Sequence, residues 1–199
     1  LPEAELPYAY KSSSFNEFES DINTNKTIIG GVWHISKGNL YNSMVNFKSQ
    51  QIYNKVHLVP FGEYIPFISS LRGLISFFDM PMSDVIKGKS NQNPMVFDLQ
   101  SQKKMAPLIC FDIAFGNTVR KSNISSLFMV NISNDTWFGK SIGPYQHLDI
   151  ARIRSIENNK WMIRATNDGF SALIDNNGTI VDKLDKGVAG VLDGSIMLL

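Results

Sequence analysis

The sequence predicts a single α/β domain, and three observations support this prediction. Short runs rich in β-branched and aromatic residues alternate with stretches of helical patterning, which is typical of α/β proteins. Residues that form turns separate these runs at short intervals. The chain has 199 residues, a length that favours one domain and that buries enough apolar surface to fold without disulfides or metal ions.

The predicted elements follow one another at short spacing. The two predicted helices cover residues 12–22 and 145–158, and the second carries an apolar stripe that contains Leu148, Ala151, Ile153 and Ile156. The predicted strands cover residues 27–33, 41–47, 52–58, 105–110, 127–132, 161–165, 171–174 and 179–181.

Other segments are predicted to be turns or loops. Lys37-Gly38-Asn39 separates the first two predicted strands, and the sequence DNNG at residues 175–178 precedes the last one. Both are typical of tight turns. Residues 71–93 lack regular patterning, and we predict a long loop with a short helix there, a kind of segment that is often functional.

Composition excludes several classes of function. Hydrophobic residues make up 43% of the chain and charged residues 19%, which argues against disorder. A net charge of +1 gives no basic surplus for binding nucleic acid. The single cysteine excludes a disulfide within the chain and metal sites built from several cysteines. We therefore predict no metal, no cofactor and no nucleic-acid partner.

The ends of the chain indicate a piece of a longer protein. The sequence begins with Leu1 rather than methionine, and it contains no basic-then-apolar leader. No stretch approaches the ~18 consecutive apolar residues of a membrane-spanning helix. We expect this piece by itself to be soluble.

Cys110 is the candidate nucleophile. A predicted strand ends at this cysteine and turns into a helix, which places the sulfur near a helix N-terminus that favours a thiolate. The alternative is a buried cysteine that acts as a small hydrophobe. A nucleophilic thiol needs a base, but His34, His57 and His147 are isolated in the sequence and fit packed or surface roles better.

Two glutamates and a lysine are the remaining candidates. Glu3 lies between two prolines, where a solvated turn is the alternative to a general base. Glu63 lies in an apolar segment, where a charge needs a partner. Lys55, pointing inward from a predicted strand, supplies a fixed positive charge for an oxyanion. Spacing alone leaves catalytic and structural roles open for all three.

Together these segments resemble the nitrilase superfamily, whose catalytic residues come in the chain order Glu, Lys, Cys. The longer motifs are similar to those of the bacterial apolipoprotein N-acyltransferases. They are KVHLVPFGEYIP at residues 55–66, NISNDTWFG at 131–139, SIGPYQH at 141–147, ARIRSIE at 151–157 and RATNDG at 164–169. The resemblance covers nearly the whole chain.

The resemblance implies a four-layer α-β-β-α sandwich in which residues 1–199 form the catalytic domain. It implies an acyltransferase without a cofactor, held by spanning helices at the periplasmic face of the bacterial inner membrane. Such an enzyme moves an acyl chain from a phospholipid, through a cysteine thioester, to the N-terminal amine of an apolipoprotein's diacylglyceryl-cysteine. Phospholipid, apolipoprotein and the membrane surface are the implied partners.

The resemblance also implies roles for the candidate residues. Cys110 is the nucleophile, Glu3 the general base and Lys55 the residue that stabilises the oxyanion, in a ping-pong reaction. Glu63 is a supporting carboxylate that orients the lysine or the amine.

The two residues after the cysteine depart from the family pattern. Phe111 and Asp112 stand where the family usually has Tyr and Glu, and both are predicted to support the site. Either Asp112 acts directly on the reaction, or it anchors the N-terminus of the helix, and we favour anchoring.

Three aromatic residues, Trp137, Phe138 and Tyr64, are predicted to bind substrate together with a loop at residues 71–82, because a lipid tail needs an apolar wall. A core position beside a turn is the alternative for Trp137. Two rival functions stay open: a soluble nitrilase-type amidase that hydrolyses a small C–N bond, and a non-catalytic binding module of the same fold.

Overall fold

The computed structural model describes residues 1–22, 26–60, 62–64 and 85–198. The helices and strands in these ranges are, in chain order, α1 (Ser13–Asp21), β1 (Ile29–Ser36), β2 (Asn39–Asn46), β3 (Gln51–Asn54), β4 (Met95–Asp98), β5 (Lys103–Ile109), α2 (Gly116–Ser122), β6 (Met129–Asn134), α3 (Gly143–Asn158), β7 (Met162–Asn167), β8 (Ser171–Ile174) and β9 (Ile180–Leu184). Short 3-10 helices lie at Cys110–Ala114 and Thr136–Phe138.

The strands form two sheets. Strands β1, β2 and β3 make an antiparallel sheet, and β4 to β9 make a six-stranded sheet in sequence order. In the larger sheet β5, β6 and β7 are parallel and the outer strands are antiparallel. Parallel strands need apolar cover on both faces, and the buried runs of β5 and β6 provide the side chains for it.

Alternating side chains divide the core into three clusters and the fold into four layers. In β2, Val45 packs with Phe15 of α1, whereas its neighbour Met44 packs in a cluster with residues of the larger sheet. In β5, Ile109 joins that cluster between the sheets, and Leu108 packs with residues of α2 and α3. Because successive strand residues point to opposite faces, the layers are α1, the small sheet, the large sheet, and α2 with α3.

The structure confirms the α/β class and both predicted turns. Lys37 and Gly38 have φ values of 52° and 78°, as a two-residue hairpin turn requires. In the DNNG turn, the Asp175 carboxylate accepts backbone N–H bonds from Asn177 and Thr179 at 2.9 and 2.7 Å.

Two sequence predictions on the elements are wrong in detail, and one strand was missed. Strand β3 ends at Asn54, so Lys55 and His57 lie after the strand. Strand β4 was not predicted. In α3, Leu148 and Ala151 are buried, but Ile153 and Ile156, the remaining members of the predicted stripe, are exposed.

Residues 71–84 of the predicted loop at 71–93 lie outside the described residues. The described part of this loop, residues 85–93, contains no helix. Among the residues that the structure describes, no helix combines the length and the apolar character needed to cross a bilayer.

Candidate active site

Four of the predicted site residues lie close together in the interior. Lys55 follows β3 directly, Cys110 follows β5 directly, and Glu3 and Glu63 come from segments outside the regular elements. Each is at most 5% exposed. The Lys55 ammonium Nζ lies 2.9 Å from Glu3 Oε1 and 2.8 Å from Glu63 Oε2. The structure therefore places one ammonium between two buried carboxylates.

Glycine at position 31 allows Glu3 to reach this position. The Gly31 N–H donates to the Pro2 carbonyl at 3.0 Å, which holds the N-terminal segment against β1. A Cβ at Gly31 would lie 2.4 Å from Ala4 N and 2.6 Å from Glu3 Cα. Since real side chains do not approach backbone atoms so closely, only glycine fits here.

Lys55 keeps its charge in spite of its burial. Burial alone lowers the pKa of a lysine, but the nearby Glu3, Cys110 and Glu63 outweigh it, and the pKa of Lys55 lies above its ordinary value. Its backbone N–H donates to the Asn42 carbonyl at 2.8 Å, and its carbonyl accepts from Gly88 N–H at 2.7 Å. The ammonium is thus a fixed positive charge.

Cys110 differs from the predicted thiolate. It opens a five-residue 3-10 helix rather than an α-helix, since α2 begins only at Gly116. Burial and the Glu3 carboxylate raise the pKa of Cys110 to about 12, although Lys55 and Ser133 oppose the rise. The thiol is therefore protonated at neutral pH. Its backbone has a φ of 46°, a conformation that is uncommon for residues other than glycine and is found at functional sites.

Asp112 connects the segment after Lys55 to the turn at the cysteine. Its carboxylate accepts backbone N–H bonds from Val56, His57 and Ile109 at 3.2, 2.8 and 3.2 Å, and the Tyr53 hydroxyl donates to it at 3.3 Å. Burial raises the pKa of Asp112 to about 7, against these backbone donors and Lys55. These contacts are those of an anchoring residue.

Phe111 is half-buried and contacts a second aromatic side chain. Its ring packs edge-on against Phe115, with the centroids 5.2 Å apart. Phe115 in turn stacks on the His57 ring at 3.7 Å.

Two functional candidates, Asn42 and a buried ionic cluster, were missed by the sequence analysis. Asn42 of β2 donates to Glu3 Oε1 at 2.6 Å and to Glu63 Oε1 at 2.8 Å. A buried amide needs hydrogen-bond partners, but β2 also contains Asn39, Ser43 and Asn46, so its sequence does not single out Asn42.

The ionic cluster consists of Asp135, His147 and Arg164, and it contacts the backbone of Cys110. The Asp135 carboxylate binds His147 Nδ1 at 2.8 Å and Arg164 Nη2 at 2.9 Å. His147 Nε2 lies 3.3 Å from the Cys110 carbonyl oxygen. Burial and the Arg164 guanidinium lower the pKa of His147, and its Nδ1 lies between the Asp135 carboxylate and Arg164 Nη2, at 2.8 and 3.1 Å. His147 is the packed histidine that the sequence indicated.

The three predicted substrate-binding aromatic residues lie at the surface. Trp137 is 56% exposed, and Phe138 and Tyr64 are each 38% exposed. A core position for Trp137 is therefore wrong. The loop at 71–82, predicted to join them, lies outside the described residues.

Comparison with known proteins identifies the family. The model of the carbon-nitrogen hydrolase family matches residues 2–198. Apolipoprotein N-acyltransferase of Pseudomonas aeruginosa is 45% identical over 145 residues, which are 73% of this chain and 28% of that protein. The enzyme of the same name from Nitrosomonas europaea is 41% identical over 152 residues, 75% of this chain and 30% of that protein. The chain thus spans less than a third of the length of these relatives.

A solved structure shows the same fold. Nit3 of Saccharomyces cerevisiae, a member of the nitrilase superfamily, superposes with a TM-score of 0.62 at 17% identity, over 88% of this chain and 62% of that one. The predicted α-β-β-α sandwich is confirmed by this likeness and by the four layers of the core. The chain belongs to the carbon–nitrogen hydrolase family and has the nitrilase-superfamily fold.

Proposed function

We propose that this chain is the catalytic domain of an apolipoprotein N-acyltransferase, and that Glu3, Lys55 and Cys110 carry out its chemistry. The observation that supports this most directly is a protonated, buried thiol in the electrostatic field of a carboxylate and a fixed ammonium. The names of relatives that are 41% and 45% identical support the choice of acyl transfer.

In the first step, Glu3 takes the proton of the Cys110 thiol while the sulfur attacks the ester carbonyl of a phospholipid. The ammonium of Lys55 stabilises the negative oxygen of the tetrahedral intermediate. When the intermediate collapses, the C–O bond breaks and Glu3 returns the proton to the leaving alcohol. The product is an acyl thioester on Cys110.

In the second step, the N-terminal amine of the lipoprotein attacks the thioester. Glu3 takes a proton from the amine, the C–S bond breaks, and the proton returns to the sulfur. The chemistry consists of two acyl transfers, and the chain's own side chains supply every proton transfer. The domain would act at the periplasmic face of the inner membrane, where both lipid substrates lie.

The thioester is the species to test. The protein is expressed from its complete gene, incubated with phosphatidylethanolamine vesicles, and digested for mass spectrometry. We expect an acyl mass on the peptide that contains Cys110, its loss with hydroxylamine, and its discharge by a diacylglyceryl-cysteine peptide. Cys110→Ala should carry no acyl mass.

An unmodified Cys110 peptide after incubation with lipid, or an equal adduct on the Ala variant, would overturn the proposal. Hydrolysis of a small amide by the same preparation, without transfer from lipid, would instead support the amidase. A protein that folds and binds lipid but forms no adduct would support the non-catalytic module.

A further inference from the structure

We propose that Asn42 is a positioning residue that determines which oxygen of Glu3 receives the thiol proton. The inference rests on the proposed function, in which Glu3 is the base. It concerns a residue of β2 that acts through its contacts with the two glutamates.

Both hydrogens of the Asn42 amide are used on carboxylates. Asn42 is 3% exposed, and its Nδ2 donates to Glu3 Oε1 at 2.6 Å and to Glu63 Oε1 at 2.8 Å. The reverse orientation would direct the amide oxygen at two carboxylate oxygens, all of them acceptors, so the contacts fix the orientation. Within the described part of the chain, Asn42 Oδ1 has no hydrogen-bond partner. The amide is therefore held through its N–H groups.

The hydrogen bonds of Glu3 leave one oxygen open. Oε1 accepts from the Lys55 ammonium at 2.9 Å and from Asn42 at 2.6 Å, which uses both of its lone pairs. Oε2 accepts from the Asn134 backbone N–H at 2.7 Å, which uses one. The remaining lone pair of Oε2 is the place where the thiol proton can be received. Without Asn42, Oε1 would become a second acceptor.

The same amide separates two like charges. Glu63 accepts from Asn42 at Oε1 and from Lys55 and the Val59 N–H at Oε2, at 2.8 and 2.9 Å. Asn42 and Lys55 therefore each bridge the two carboxylates, although only Lys55 carries a charge. The amide supplies one hydrogen-bond donor to each carboxylate and adds no charge of its own.

The test compares Asn42→Ala and Asn42→Asp with the unchanged protein expressed from its complete gene. The measured quantity is the rate at which iodoacetamide alkylates Cys110 as a function of pH, followed by mass spectrometry. We expect Asn42→Ala to slow alkylation by ~10²-fold, as a misplaced base does. The acid limb of its pH profile should move upward by about one pH unit, because a donor to the carboxylate is lost.

Asn42→Asp has the same shape and donates a hydrogen bond only when it is protonated. We therefore expect the ratio of the Asn42→Asp rate to the Asn42→Ala rate to rise as the pH falls. The shift of the acid limb in Asn42→Ala, which introduces no charge, separates the positioning role from a merely structural one. Asn46→Ala is the matched control, because Asn46 is a buried asparagine on the same strand whose side chain donates to the Val96 carbonyl. It should leave the pH profile unchanged.

Glu3→Gln separates the two proposals. If Glu3→Gln alkylates as fast as the unchanged protein, the base assignment fails and the proposed function fails with it. If Glu3→Gln is slow while both Asn42 variants keep the pH profile of the unchanged protein, only the role of Asn42 is overturned. Circular dichroism identifies any variant that does not fold. If Asn42→Ala does not fold, Asn42→Asp, which keeps the side-chain volume, tests the proposal through the pH dependence of its alkylation rate.

Discussion

Burial acts in opposite directions on the pKa of the Lys55 ammonium and on the pKa of the Cys110 thiol. The Lys55 ammonium keeps its proton because carboxylates surround it, whereas the Cys110 thiol keeps its proton because burial and Glu3 disfavour the thiolate. A base is therefore needed at the moment of attack. Asp112 is a third buried group whose pKa is shifted. Desolvation raises its pKa, and the backbone N–H donors around it only partly offset the rise.

Asp112 gives a prediction on stability. Its pKa rises from an ordinary 3.8 to about 7 in the folded protein, so between these values the folded state binds more protons than the unfolded state. Its contribution to the free energy of unfolding is then largest below pH 4 and falls as the pH rises to 7. Relative to Asp112→Asn, we expect a slope of up to ~1.4 kcal/mol per pH unit, measured by urea unfolding. Parallel pH curves for the two proteins would contradict this.

The site residues differ in whether the sequence around them is enough to predict their position. The family resemblance of the long motifs predicted that Glu3, Lys55 and Cys110 come close together, and their catalytic roles stay a prediction. Asn42 could not be predicted, because its direction depends on the register of β2 with its neighbours and on how the two sheets stack. A charged cluster such as Asp135 with Arg164 likewise depends on the parallel pairing of β6 and β7.

At the scale of elements, β1 supports the segment that carries Glu3, the proposed general base. The segment that carries Glu3 lies across β1 at Gly31, and the Asn167 side chain of β7 donates to the Glu3 carbonyl at 3.1 Å. Glu3 is therefore positioned by one strand from each sheet. A Cβ placed at the adjacent Gly30 would have side-chain atoms as its three nearest neighbours, with Leu1 Cβ closest at 3.3 Å.

This difference between adjacent glycines gives a matched pair of variants. Gly31→Ala should displace Glu3 and reduce acyl loading of Cys110 by ~10²-fold, because the new methyl group overlaps backbone atoms. Gly30→Ala should retain most of the activity. Acyl loading is followed by mass spectrometry, and equal loss in both variants would show that the strand rather than the base was disturbed.

The sequence predicted the elements better than their ends. The apolar run before Cys110 and the helix before Asn159 were strong signals, and both elements form. The end of β3 was not visible, because Val56 and His57 have strand-like neighbours but donate their N–H groups to Asp112 instead of to a strand. Strand β4 is four residues long and pairs with β5 through a bulge, which leaves little periodicity to detect.

At the scale of the whole molecule, the parallel centre of the large sheet contains a buried ion pair. Arg164 of β7 is 1% exposed and Asp135, which follows β6, is fully buried. Arg164 also binds Asn131 of β6. The pair therefore ties two central strands together, and its His147 neighbour extends the contact to α3 and to the Cys110 carbonyl.

Removing one partner should destabilise the whole fold. We expect Arg164→Met to lower the free energy of unfolding by ~3–5 kcal/mol, because Asp135 would remain as a buried charge without its ion-pair partner. The exposed pair of Arg152 with Asp149 is the control, and Arg152→Met should cost less than ~1 kcal/mol. Urea unfolding measures both. A small effect for Arg164→Met would mean that water or another cation replaces the guanidinium.

The high pKa of Cys110 also bears on chemical damage. Peroxides and disulfides react with thiolates and only slowly with thiols, so a sulfur that keeps its hydrogen until Glu3 removes it is poorly susceptible to oxidation. The reactive anion would form mainly during turnover, when the ester is already in place to consume it. An oxidising compartment is thus a tolerable environment for this thiol.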